Sequence, residues 1–380
     1  MSELESAVHA ALATVIDPEI HQPITDLGMV ESVGVDSSGV AAVTVLLTIA
    51  GCPLANTIES DVTKAVSAVP GISAVNLVLG TMSDEQRSEL KKRLRGGRED
   101  RDIPFAKSDS LTQVILVASG KGGVGKSSVT VNIAMALAAQ GRTVGVLDAD
   151  IYGHSIPQML GLSEASPTSV DGMIMPVPSM GLRVISIGML KQSRDQVIAW
   201  RGPILDRALQ QFLADVYWGD LDVLLMDLPP GTGDIAISVA QLVPSAEILV
   251  VTTPQLASQE VAERAGSIAL QTHQRIAGVV ENMSYLECPH CDERIDVFGS
   301  GGGQAVASSL SQRLGADVPL LGQIPIDVRL REGGDSGQPL VLSDPTATAS
   351  QTLLSISDRL SGKPRGLASM SLGLSPARRA

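Results

Sequence analysis

Apolar residues change their rhythm along this chain near residue 110. Up to about residue 95 they alternate in short stretches. Met29–Val35 and Val40–Thr48 read as strands, and Ile72–Leu79 reads as a third. Ser2 with Glu5 makes a capping-box pattern for a helix running through Val15, and Cys52-Pro53-Leu54 opens a second helix over Ala55–Val69. These elements predict a separate small α/β domain. From Leu111 to about Arg359 continuous apolar runs take over. They fall at Val114–Ala118, Thr143–Asp148, Val184–Ile187, Val223–Asp227, Glu247–Thr252, Ile276–Asn282 and Leu320–Ile324, with helical segments between them. Strands apolar on both faces and alternating with helices belong to a doubly wound, mostly parallel α/β sheet. The charged run Glu89–Asp102, with Lys91-Lys92-Arg93, reads as a solvated helix end entering a linker. Gly161–Gly181, rich in Pro and Ser, reads as an insertion or mobile loop, and no internal repeat stands out. The expected division is a domain at 1–95, a linker at 96–110, a domain at 111–360 and a disordered tail at 361–380.

The chemistry is densest in Gly120-Lys121-Gly122-Gly123-Val124-Gly125-Lys126-Ser127-Ser128, which fills the G-x-x-x-x-G-K-[ST] pattern between a predicted strand and a predicted helix. Glycines let backbone N–H groups converge on a phosphate where the helix dipole is positive. Lys126 would neutralise β/γ-phosphate oxygens and Ser127 would ligate Mg²⁺, so a nucleoside triphosphate is the expected ligand. Asp227 ends an apolar strand, where a carboxylate can hold the metal's water shell. Asp148 and Asp150 end another, one able to reach that shell and the other to orient the attacking water.

Composition narrows the setting. The chain has 380 residues, a formal net charge of -13 and a pI of about 4.8, which disfavours nucleic acid and anionic membranes as partners. Aromatics at 2% leave no stacking platform for single strands. No apolar run approaches the ~20 residues of a membrane span, and the acidic start Met1-Ser2-Glu3 lacks a signal-peptide layout. Three cysteines make no disulfide framework, so a cytoplasmic setting is expected.

Lys121, a second lysine inside the loop, cannot easily fold back onto its own site; it is either a solvated loop charge or acts elsewhere. Gly-Lys-Gly-Gly-Val-Gly-Lys-Ser resembles the deviant Walker A motif of the MinD/ParA class of P-loop ATPases. That resemblance implies that Lys121 reaches across a dimer to the partner's nucleotide, that Asp150 positions water, and that Asp148 and Asp227 serve Mg²⁺. It further implies that Asn282 recognises adenine, with Pro325 lining the base pocket.

Cys288-Pro289-His290-Cys291 follows the Asn282 strand. Two thiolates are half of a four-ligand zinc site or iron–sulfur cluster, and a two-fold dimer completes such a half-site. A redox pair, a structural zinc site with His290 and an unliganded surface pair stay open on spacing alone. With Asp148-Ala149-Asp150-Ile151-Tyr152-Gly153, Arg201-Gly202-Pro203, Asp227 through Asp234 and Glu281-Asn282-Met283-Ser284, the region from Leu111 to about Leu360 resembles the Mrp/ApbC iron–sulfur cluster carriers. The resemblance implies a weak ATPase whose homodimer holds a bridging [4Fe–4S] cluster on Cys288 and Cys291 and passes it from an assembly scaffold to apo-proteins. Asp17-Pro18-Glu19 and Thr48 through Pro53 resemble a SufT/PaaD-like domain. There Cys52, before a helix, is expected either to have a lowered thiol pKa and act as a transient metal or cluster ligand, or to be a small core thiol. The rival functions are a MinD/ParA-like positioning ATPase and a zinc-stabilised ATPase dimer with a structural CxxC.

Overall fold

A computed structural model describes residues 2–49, 52, 54–94, 102–107, 109–150, 153–190, 202–231, 234–255, 259–291 and 293–361. The expected disordered tail falls almost wholly outside them, as do Arg201 and much of the expected linker. The described residues group into two compact units. The first draws on Met1–Pro104, Leu147–Pro157 and Leu162–Gly219, and the second on Phe105–Val146, Gln158–Gly161 and Asp220–Ala380.

In the first unit, the strand Val30–Val35 pairs antiparallel with Val40–Leu47, which pairs parallel with Ala74–Thr81. The helix Ala55–Ser67 makes the crossover that a parallel pair requires. The first helix, Glu3–Leu12, carries the full capping box, Ser2 and Glu5 each satisfying the other's backbone N–H, and it stops three residues before Val15. Its Val8 and Leu12 enter a core with Val43, Val45, Ile58 and Val62.

That core also takes in Val170, Met173 and Met175. They lie on a hairpin, Thr168–Val170 against Met173–Met175, inside the stretch expected to be a loop. Asp171 and Gly172 turn it with φ of 48° and 77°, the left-handed pair of a two-residue turn. A second hairpin, Val177–Ser179 against Leu182–Ser186, follows at once. Within Gly161–Gly181 the residues from Thr168 to Ser179 thus carry three short strands, where the sequence suggested an insertion or mobile loop.

The second unit is built on parallel strands in the order Leu320–Gln323, Ile276–Glu281, Glu247–Thr252, Gln113–Ala118, Val223–Asp227, with the strand beginning at Val144 next. Nearly every residue of the inner strands is buried, because helices cover both faces of such a sheet. Lys126–Ala139 packs against Thr348–Leu360, and Gln259–Thr272 against Gly302–Leu314. Phe105, within the expected linker, is buried, and its carbonyl accepts from the Ser245 hydroxyl.

Candidate nucleotide site and cysteine hairpin

The strand Gln113–Ala118 delivers the phosphate loop to the N-terminus of the helix Lys126–Ala139. Gly125 caps that helix with φ 77° and ψ 23°, and a Cβ there would lie 2.3 Å from Asn282 Nδ2. Both the backbone region and the space require glycine. Lys126 is 6% exposed and its ammonium lies 2.7 Å from Asp227 Oδ2, yet the contact lacks hydrogen-bond geometry. The buried ammonium is thus held by an ion pair with Asp227, with donor capacity left for an anion at the loop. Asp227 is fully buried. Its Oδ1 accepts from the Thr130 hydroxyl at 2.7 Å and its Oδ2 from Ser127 at 2.6 Å, so the expected metal carboxylate and metal hydroxyl are already joined. Gly231 N–H donates to the Ser119 carbonyl at 2.9 Å, tying the segment after Asp227 to the loop. Glycine cradle, buried ammonium and paired hard-oxygen ligands fit a nucleotide phosphate with Mg²⁺.

Asn282 Nδ2 donates to the Val124 carbonyl at 2.9 Å. Ile324 and Ile326 run beside the chain after it, through Ser284 N–H to Ile324 O and Ile326 N–H to Tyr285 O, so Pro325 lies alongside the Asn282 segment. The two residues expected at the base are thus brought together with the loop. Lys121 donates its ammonium to the Gln255 side chain of its own chain. Gln255 was not singled out in the sequence; its only signal is its place just beyond an apolar strand, Glu247–Thr252.

Asp148 and Asp150 belong to the first unit. Both are buried there; Ser186 Oγ donates to Asp148 at 3.0 Å, Asp150 N–H to Asp148 at 3.2 Å, and Gly153 N–H to Asp150 at 3.0 Å.

Cys288 and Cys291 sit at the tip of a small hairpin, Leu286–Glu287 against Arg294–Ile295, closed by Cys288 N–H to Glu293 O at 3.0 Å. Cys288 is half-buried, Cys291 is exposed, and no disulfide joins them. The Arg294 guanidinium lies 3.4 Å over the Tyr285 ring at the hairpin's base. Ile295, Val297 and Phe298 are exposed just beyond the second cysteine. Among the described residues, no group of three or more His, Cys, Asp or Glu side chains is placed to hold a metal. Two thiols per chain are what the hairpin offers.

Of the two expectations for Cys52, its surroundings match the small core thiol rather than the lowered pKa. It is 8% exposed within the first unit's core, and burial pushes its thiol pKa up, helped by the charges of Glu19 and Asp17. The N–H groups of Leu54 and Ala55 act the other way and are outweighed. Glu19 has its own pKa raised to about 7, first by burial and then by Asp17, against a lowering bond from Thr168. Glu19 lines a cavity of about 640 Å³ with Ile49, Leu54 and the hairpin residues Thr168 and Met175.

A phosphate loop between strand and helix, with a carboxylate at the end of the neighbouring parallel strand, defines a P-loop NTPase. Residues 110–361 match the family described as NUBPL iron-transfer P-loop NTPase, and the chain belongs to that family. Residues 5–77 match the family described as iron-sulfur cluster assembly protein. A Mycobacterium bovis relative named iron-sulfur cluster carrier protein is 61% identical over 377 residues, covering 99% of this chain and 98% of the relative. One of the same name from Deinococcus radiodurans is 42% identical over 361 residues, covering 95% of each. The solved structure of a nucleotide-binding protein in complex with ADP from Archaeoglobus fulgidus is 38% identical. The match covers 63% of this chain and 93% of that one, with a TM-score of 0.54. Among the described residues no helix is long and apolar enough to cross a membrane.

Proposed function

We propose that this chain is a weak, ATP-hydrolysing carrier of iron–sulfur clusters that works as a homodimer in the cytoplasm, taking clusters from an assembly scaffold and delivering them to apo-proteins. The observation that carries the reading is the pairing, within one compact unit, of a nucleotide loop with an accessible two-thiol hairpin that is half of a four-thiolate site. The carrier names of full-length relatives support it.

ATP enters with its phosphates over the Gly120–Ser128 backbone. Lys126 turns its buried ammonium to the β/γ oxygens, and Asn282 and Pro325 hold the base. Ser127 and Asp227, with Asp148, would hold Mg²⁺, which would supply charge neutralisation at the phosphates. Asp150 orients the attacking water. Lys121 leaves Gln255 for the nucleotide of the partner subunit, so that hydrolysis waits on the dimer. The cargo, a [4Fe–4S] cluster, is held by Cys288 and Cys291 with the same pair of the partner subunit. The exposed Ile295, Val297 and Phe298 give that junction apolar surface to cover. Cys52 is a reserve thiol for a passing metal or cluster.

Anaerobic reconstitution with iron and sulfide tests this, with sizing and labile-sulfide analysis of wild type and the Cys288→Ala/Cys291→Ala double variant. About one four-iron cluster per dimer, lost in the variant, is expected. Tightly bound zinc with no labile sulfide would make the pair structural and end the carrier reading.

A further inference from the structure

Five residues separate Asn282, whose side chain touches the phosphate loop, from the first cysteine, and that path is held at several points. The strand Ile276–Glu281 ends on a carboxylate that is 1% exposed. Glu281 accepts from the Ser284 hydroxyl, from the Gly303 backbone N–H in the first turn of the helix Gly302–Leu314, and from the Gln323 amide at 2.7 Å. A buried charge is tolerable only with such donors, and the helix N-terminus adds its dipole.

Asn282 follows. Its backbone N–H is fixed on Thr252 O at 2.8 Å and its side chain on Val124 O at 2.9 Å. Met283 then adopts φ 55°, a left-handed region uncommon outside glycine, and here it is compelled into it. The compulsion is visible on both sides: Asn282 is pinned to the loop, and Ser284 N–H is pinned to Ile324 O at 2.9 Å. Tyr285 accepts from Ile326 at 2.6 Å, and Leu286–Glu287 begins the cysteine hairpin. A Cβ on Gly125 would also lie 3.7 Å from Met283 Cε, so the strained residue borders the loop itself.

We propose that Asn282–Tyr285 is an intrachain lever between nucleotide and cysteines, with Met283 as its strained joint and Glu281 as the anchor against which it moves. Phosphate binding reorients the Val124–Gly125 peptide, whose carbonyl holds Asn282. A shift there is passed to the hairpin because Glu281 fixes the strand end behind it. Met283 and Glu281 are positioning residues, acting on Cys288 and Cys291 through the backbone. The lever rests on the nucleotide reading above, but it does not need the dimer: each chain would sense its own nucleotide.

The test is the alkylation rate of Cys288 and Cys291 in the reduced, cluster-free, full-length chain. It is run with Mg²⁺ and a non-hydrolysable ATP analogue or without nucleotide, and at several protein concentrations. Affinity for a fluorescent nucleotide is measured in parallel. Wild type is expected to change its alkylation rate by about fivefold or more on binding nucleotide, the lower range for coupled sites, and to do so equally at all concentrations. Met283→Gly, which adopts the same φ without strain and can turn freely, is compared at a nucleotide concentration that saturates it by its own measured affinity, and is expected to lose most of the response. Ser284→Ala, which loosens the Glu281 anchor without touching the loop, should weaken it too. A wild-type response that vanishes on dilution would assign the coupling to the dimer and overturn the lever. So would variants that keep the full response. Wild type that binds no nucleotide would instead overturn the nucleotide reading, and the lever with it.

Discussion

Replacing Glu19 by Gln keeps the side chain's shape and removes its ionisation. In the folded chain its pKa is raised from 4.5 to about 7, so between those values the folded state holds a proton that the unfolded state has lost. The contribution to stability is therefore fully present below about pH 4.5 and is lost as the pH rises through 7. The gap between those two values corresponds to a ceiling of about 3 kcal/mol. Glu19 faces a cavity of about 640 Å³, large enough for water, and that screening reduces the figure to about 1–2 kcal/mol. Urea denaturation between pH 5 and 8.5, followed by tryptophan fluorescence to which the buried Trp218 contributes, reads the difference directly. Glu19→Gln should be more stable than wild type at pH 8 by that amount, and the gap should close toward pH 5. Cys52 supplies a second readout in a Cys288→Ser/Cys291→Ser background. With the neighbouring charge gone, its thiol should titrate lower and alkylate faster at pH 8. Parallel stability curves for the two proteins, or a variant weaker at pH 8, would refute the burial account of Glu19.

Thr130→Val should destabilise the second unit by about 1.5–3 kcal/mol in thermal unfolding, because it strips a donor from the fully buried Asp227, while Thr130→Ser should stay near wild type. Gly125→Ala forces a Cβ against Asn282 Nδ2 in left-handed backbone. The strain and the lost Asn282–Val124 bond together should lower nucleotide affinity about 10- to 100-fold by calorimetry, and a change under about twofold would deny the fit. Gln255→Ala removes the group that holds Lys121 within its own chain. ATP-dependent self-association in sedimentation should then tighten about threefold to tenfold, and weakening would show that Gln255 serves the dimer itself.

The nucleotide loop was legible because its chemistry is local: Gly125, Lys126 and Ser127 are contiguous, and a run of apolar residues announces the strand before them. Asp227 was legible for a similar reason, as a charge ending the apolar run Val223–Met226. Thr130 and Gln255 escaped, and Glu281 was quoted only as part of Glu281-Asn282-Met283-Ser284, because each matters through a partner far along the chain, and a polar residue in a helix, loop or strand end carries no mark of that. The hairpin at Thr168–Met175 had a signal, Asp171-Gly172, but strands of three residues give too little alternation to support it. Cys52 stayed open between two readings because its one local cue and its place in the core point opposite ways. Its position before a helix argues for a low pKa, whereas the burial and the two carboxylates that prevail come from folding.

The shared core of the first unit has a practical consequence. Val170, Met173 and Met175 are buried with Val8, Leu12 and Val62, although some hundred residues of chain and a charged stretch lie between them. A protease cut in that stretch would leave two fragments still gripping each other, as in fragment complementation. A shortened gene product starting near Phe105 would carry those three side chains bare to solvent and tend to aggregate. Poor behaviour of such a truncation would report an uncovered hairpin rather than a missing cysteine, so the contribution of Cys52 has to be read by substitution in the whole chain.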